Sequence, residues 1–234
     1  MSAYRNAPWQ QVIHEHELHL LRWVGKHHRE PLIYDVGANE GQYVRAARSV
    51  LGDRAIVVCV EPNPTCLPEL RQAGADAIEA VALSSQPGNR AMYMKIPEGP
   101  DIEASFHLRR DLHLLARYGY KRLYRLPAVE TRTLDELARD EQIHLLKVDV
   151  EGHELEVLSG GLGTLERVES IQLEYSFTNS FNPSLRLSDF RDLLEPRGFR
   201  LLVPQAGNWR PLPKQGISAT GQTDVLATRR RDAP

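Results

Sequence analysis

Carboxylates and glycines recur in this sequence where an apolar strand-like run gives way to a helical pattern. Asp35 lies in a run at 32–36 that is followed by Gly37 and Gly41; Glu61 follows a run at 55–60; Asp149, Glu151, Gly152 and His153 cluster at the end of a run at 145–150. Glycine tolerates positive φ and lets a ligand come close to the backbone, and the helix beyond such a turn starts with unpaired N–H groups. An acidic residue ending the second strand, roughly 20 residues after the glycine turn, is placed to accept hydrogen bonds from a ribose diol. The spacing Gly37-x-x-x-Gly41 differs from the G-x-G-x-x-G of dinucleotide binders. Glu174, near the end of a further run at 170–175, adds another carboxylate. Asp149, Glu151 and Glu174 together form an oxygen-rich set that could hold Mg²⁺.

The elements that must position these residues alternate. Strand patterns at 32–36, 55–60 and 77–83 are interleaved with helical patterns at 42–51 and 65–73. That order predicts a parallel sheet covered by helices on both faces. Residues 92–96 read as an extra strand and 129–133 as a short one. Thr133 and Glu136 form a capping box for a helix at 134–139. Beyond 170–175, a helix is expected at 187–195 and the last two strands, paired as a hairpin, at 199–203 and 224–228. Residues 9–28 read as an amphipathic leading helix, giving an N-terminal helical segment at 1–30 and one domain over 31–234. Residues 97–127 break the regular order with His, Arg and aromatic side chains, including Phe106, His107 and Tyr118. An insertion of that length in a compact domain reads as a substrate loop, with a helix expected near 112–118.

The chain has 234 residues, 41% of them hydrophobic, and a formal charge of −2. This suits one domain with a sizeable core and offers no basic field for nucleic acid. The Arg229-Arg230-Arg231 run reads as a solvated tail. Cys59 and Cys66 form no metal or CxxC pattern and read as packing residues in a reducing compartment. The N-terminus is polar and no apolar run has the length of a membrane span, so a cytoplasmic protein is expected. The leading helix or the insertion could pair with a second subunit to form a homo-oligomer.

Taken together, several stretches resemble the FkbM family of S-adenosylmethionine-dependent methyltransferases. They are Tyr34-Asp-Val-Gly-Ala-Asn-Glu-Gly-Gln42, Val60-Glu-Pro-Asn63, Val81-Ala-Leu83, Lys147-Val-Asp-Val-Glu-Gly-His-Glu-Leu-Glu-Val-Leu158 and Leu173-Glu-Tyr175, in family order. The resemblance implies a class I, Rossmann-like α/β methyltransferase fold: a mostly parallel seven-stranded sheet with an antiparallel last strand. It implies S-adenosyl-L-methionine as cofactor and O-methylation of a sugar or natural-product hydroxyl, with a small-molecule or oligosaccharide acceptor. In that setting the Gly37–Gly41 loop approaches the methionine part, Asp35 and Asn39 hold its amino and carboxylate groups, and Glu61, assisted by Asn63, takes the ribose. Val81 and Ala82 would line the adenine pocket.

Methyl transfer to a neutral hydroxyl gains from a general base, and Asp149, Glu151 and His153 are the candidates. An NAD-dependent oxidoreductase on the same kind of sheet is the competing enzyme class, but its glycine fingerprint is missing. A non-catalytic cofactor-binding module is the other competitor, and the intact run at 149–154 argues against it.

Overall fold

The protein is described by a computed structural model, which covers residues 13–94, 104–107, 124–177, 182–205, 208–213, 217, 221–232 and 234. The apolar run after the leading helix forms β1 (Leu32–Val36), which sits near the middle of the main sheet between β2 (Ile56–Val60) and β7 (Ile143–Val148), parallel to both. Outside β2 lies β3 (Ala77–Glu79), and outside β7 lies β8 (Val168–Ser176), both parallel to their neighbours. The chain then returns through β9 (Arg200–Gln205), β10 (Asn208–Pro211) and β11 (Gln222–Thr228), giving the order β10-β9-β11-β8-β7-β1-β2-β3. β11 runs antiparallel to both β8 and β9.

Helices cover both faces. On one face, α1 (Glu15–His27), α2 (Gln42–Leu51) and α3 (Leu67–Ala73) bury Leu20, Leu21, Val24, Val44, Ala47 and Leu70 against Ile33, Val57 and Leu145. On the other, α4 (Leu134–Ala138), α5 (Glu154–Ser159), α6 (Leu162–Leu165) and α7 (Leu187–Leu194) bury Leu134, Val157, Leu158, Leu165 and Phe190 against Val36, Leu146 and Ile171. Alternation along each strand explains the division, since successive side chains point to opposite faces. The capping box of α4 forms: Glu136 N donates to Thr133 Oγ1 at 3.1 Å, and Thr133 N donates to the Glu136 carboxylate at 2.9 Å. Among the described residues, no helix is long and apolar enough to cross a membrane.

Four expectations are corrected. The sheet has eight strands rather than seven, because Trp209 and its neighbours pair antiparallel with β9 as an added edge. It is β9 and β10 that form the hairpin. The expected strand at 77–83 splits into β3 and β4 (Ala82–Leu83), and β4 joins a second sheet. There it pairs parallel with β6 (Tyr124–Arg132), which pairs antiparallel with β5 (Gly88–Met94), so residues 92–94 and 129–132 of the expected runs are parts of longer strands. Finally, Arg229 and Arg230 are not a solvated tail. Arg229 stacks 4.2 Å from the Phe199 ring and donates to the Val168 and Arg197 carbonyls, and Arg230 lies over Trp23. The expected helix near 112–118 and most of the insertion lie outside the described residues.

Candidate active site

β1, β2 and β7 end on one edge of the sheet, and the order reverses between β1 and β7, the place where open α/β sheets bind ligands. A cleft of about 580 Å³, open solvent at its mouth included, lies there. Gly37, Asn39, Glu61, Val81 and Ala82 line it, as do Asp149, Glu151 and His153. Of the expected site residues, Asp35, Gly41, Asn63 and Glu174 are not on its wall.

The turn after β1 is shaped by tight approach. Gly37 has φ +82°, and a Cβ there would fall 1.8 Å from the Asp149 carbonyl oxygen, so only glycine lets the two strand ends meet. The glycine requirement is thus imposed by the neighbouring strand. Gly41, also at positive φ, is needed for helix packing, since a Cβ there would lie 2.7 Å from Ala73 Cβ.

Glu61 is buried and fixed by backbone amides. Asn39 N donates to Oε2 at 2.9 Å and Asn63 N donates to Oε1 at 2.7 Å. Burial pushes its pKa up to about 7, with the two amide bonds pulling the other way. Each carboxylate oxygen has a second lone pair, so the group can still accept from a diol. The apolar part of the wall comes from Val81, Ala82 and Leu83, joined by Met92 of β5 and Phe106.

Beneath the cleft, Lys147 is buried between two carboxylates, 3.1 Å from Asp149 Oδ2 and 3.6 Å from Asp35 Oδ1. Burial works against its ammonium, but Asp149 and Asp35 outweigh it and raise its pKa. Asp35 is fully buried, and burial raises its pKa although Lys147 opposes the shift. It shares the α1/α2 face with Ile33, whereas Val36 turns toward the cleft.

The turn after β7 carries the second group. Glu151 (φ +53°) and Gly152 (φ +93°) are both left-handed, and the Glu154 carboxylate secures the turn by accepting Val150 N and Gly152 N. Burial lifts the Glu154 pKa to about 7. His153 is nearly inaccessible; its Nε2 lies 3.0 Å from Ser84 Oγ and 3.2 Å from Arg90 Nη1, and its Nδ1 lies 3.2 Å from His107 Nε2. Burial, then the charges of His107 and Arg90, push its pKa down to about 3, so the ring is neutral at physiological pH.

Glu151 also borders a second, smaller cavity of about 290 Å³ with Gly152, Glu154, Glu174, Ser176 and Asn182. The ligand oxygens of Asp149, Glu151 and Glu174 lie within 4.8 Å of one another, so the three expected metal ligands do converge. Burial and then the charge of Asp149 raise the Glu174 pKa.

Sequence reasoning passed over Lys147, Ser84, Met92 and Arg90 as site residues. Lys147 carried a signal, a lysine inside an otherwise apolar run, which needs a buried partner.

Residues 35–201 match the model of the methyltransferase FkbM domain. A 2-O-methyltransferase, NoeI of Sinorhizobium fredii, is 29% identical over 174 residues, covering 70% of this chain and 71% of NoeI. Among solved structures, a TehB-like SAM-dependent methyltransferase of Corynebacterium glutamicum aligns at 11% identity and TM-score 0.49, covering 92% of this chain and 88% of that one. A SAM-dependent O-methyltransferase of Thermotoga maritima aligns at 12% identity and TM-score 0.47, covering 95% and 69%. The chain belongs to the FkbM methyltransferase family.

Proposed function

We propose that this FkbM-family methyltransferase moves a methyl group from S-adenosyl-L-methionine to a hydroxyl of a sugar or a glycosylated natural product. The observation that carries the reading is that Glu61, Asn39, Val81 and Ala82 line the same cleft as Asp149, Glu151 and His153. The bound donor supplies an electrophilic methyl carbon on a sulfonium. Glu61 accepts from the ribose diol, held in place by the Asn39 and Asn63 amides. Val81, Ala82 and Leu83 give the adenine an apolar wall. Asn39, with Asp35 acting from below through Lys147, orients the methionine end beside the Gly37–Gly41 turn.

Asp149 is the group we assign to the acceptor's proton, because it lies just past β7 at the cleft and is oriented by an ion pair with Lys147 at 3.1 Å. Glu151 and His153 shape the acceptor's place, and the smaller cavity with Glu174 and Asn182 receives the rest of it. Holding the hydroxyl in line supplies much of the acceleration, and base assistance adds about 10²–10⁴-fold. The hard-oxygen set of Asp149, Glu151 and Glu174 suits Mg²⁺, which would lower the pKa of a bound hydroxyl there; loss of turnover in chelator, restored by Mg²⁺, tests that part. NoeI, a 2-O-methyltransferase, supports an oxygen acceptor.

The decisive experiment pairs thermal shift with S-adenosylhomocysteine and a radiolabelled methyl-transfer screen over mono- and oligosaccharides. Stabilisation with label in a sugar ether is the expected result. A protein that S-adenosylhomocysteine does not stabilise, or that methylates only non-hydroxyl acceptors, would refute the assignment.

A further inference from the structure

Around His153, three metal-ligating atoms face one another. His107 Nε2 is 3.2 Å from His153 Nδ1, which is 3.7 Å from Glu156 Oε2, and all three atoms fall within 4.8 Å. The Glu156 oxygen is buried and has no hydrogen-bond partner among the described residues. A buried carboxylate oxygen without a donor calls for a proton or a cation. Zn–N bonds of about 2.0–2.1 Å on a tetrahedral ion set neighbouring ligands about 3.3 Å apart, which the 3.2 Å His107–His153 separation matches and the 3.7 Å His153–Glu156 separation approaches. We propose that His107, His153 and Glu156 form a binding site for a transition-metal dication of the zinc type. Two imidazoles and one carboxylate are a donor set that zinc takes while keeping a further position open, and the imidazoles favour zinc over Mg²⁺.

Ligation sets the proton arrangement of the ring. With Nδ1 given to the ion, His153 carries its ring proton on Nε2 and donates it to Ser84 Oγ, 3.0 Å away, the outer contact that orients a ligating histidine; the 3.2 Å contact of Arg90 Nη1 with Nε2 is then given up. Arg90 Nη1 keeps its 3.2 Å bond to Ser84 Oγ. Arg90 is the cation facing the cluster, and the Glu156 carboxylate opposes it. The ion would fasten residues 104–107 to the start of α5. That segment is already tied down by Ser105, which exchanges backbone bonds with Tyr93 and donates from Oγ to the Glu151 carbonyl at 2.7 Å. Because Ala104, Ser105 and Phe106 line the main cleft, the ion would hold part of its wall without taking part in donor binding.

The test uses the full chain stripped with chelator, dialysed and given ZnCl₂, with bound zinc measured by elemental analysis and unfolding followed by heat. A single retained ion and a midpoint that rises with zinc concentration are expected. His107→Ala and Glu156→Gln should each lose the retained ion while unfolding at the wild-type midpoint in chelator. Ser84→Ala should keep it with about 10–100-fold lower affinity. Absence of zinc in the wild type, or equal retention by His107→Ala and Glu156→Gln, would overturn the proposal. Neither result depends on methyl transfer, so failure here leaves the donor assignment standing.

Discussion

On the wall formed by the ends of β1, β2 and β4, the Glu61 carboxylate is held by two backbone amides and surrounded by apolar side chains. Across the cleft, Asp149 and Glu151 in the turn after β7 come within 4.8 Å of Glu174 on β8, and burial, then the charge of Asp149, makes Glu174 hold its proton more tightly. The first wall is complete before a ligand arrives: its donors and acceptors are matched by main chain that substitution cannot remove. The second brings three carboxylates together at one place, with Lys147 beside Asp149. Such a contrast is expected where one ligand is constant and the other is specific to the enzyme, since a fixed ligand rewards preorganisation. Lys147 joins the two, compensating Asp35 below the first wall and Asp149 on the second.

The contrast can be broken by charge removal. Asp149→Asn should lower kcat by about 10²–10⁴-fold while changing the dissociation constant of S-adenosylhomocysteine little; equal losses in both would show that the walls do not divide the labour. Lys147→Met should cost about 3–5 kcal/mol of stability by leaving buried carboxylate charge uncompensated, read by urea unfolding, and a wild-type midpoint would remove its bridging part. Glu61→Gln should weaken S-adenosylhomocysteine by about 1.5–3 kcal/mol, the worth of hydrogen bonds to a charged group, with kcat at saturating donor nearly kept. Calorimetry and saturation kinetics separate the two outcomes.

The smallest effect is a pH dependence, and its sign follows from Glu61. Its folded pKa, about 7, exceeds the ordinary 4.5. The folded protein therefore binds the extra proton between those values, and this contribution to stability, full below 4.5, is lost as pH rises to about 7. Ribose hydroxyls favour the ionised carboxylate, so donor affinity should do the reverse, rising with pH and levelling off above about 7. Calorimetric titrations with S-adenosylhomocysteine in buffers of different ionisation enthalpy should show proton release near pH 6.5; proton uptake would contradict the assigned role of Glu61.

Much of this was legible in the sequence. Glu61, Asn39, Val81, Ala82 and the 149–153 turn stand where βα order puts strand ends, and strand ends of a parallel sheet share one edge. Asp35 was harder to place, because the period-2 alternation that buries Ile33 on the α1/α2 face takes Asp35 with it, leaving Val36 at the cleft. The second sheet could not be read, because β5 and β6 are separated by the long insertion and no local pattern marks their pairing. The triad of His107, His153 and Glu156 joins positions 46 residues apart in the chain, a distance that no periodicity spans.

The contact between Gly37 and the Asp149 carbonyl sets a rule for anyone reshaping this enzyme. A side chain at 37 would push against Asp149, just past β7, so a library that varies the β1 turn alters the turn after β7 whether or not it is mutated. Under the acceptor assignment proposed above, diversity aimed at new alcohols belongs at Asn182, Ser176 and Leu185, around the smaller cavity, where changes can be made without prying the two strand ends apart.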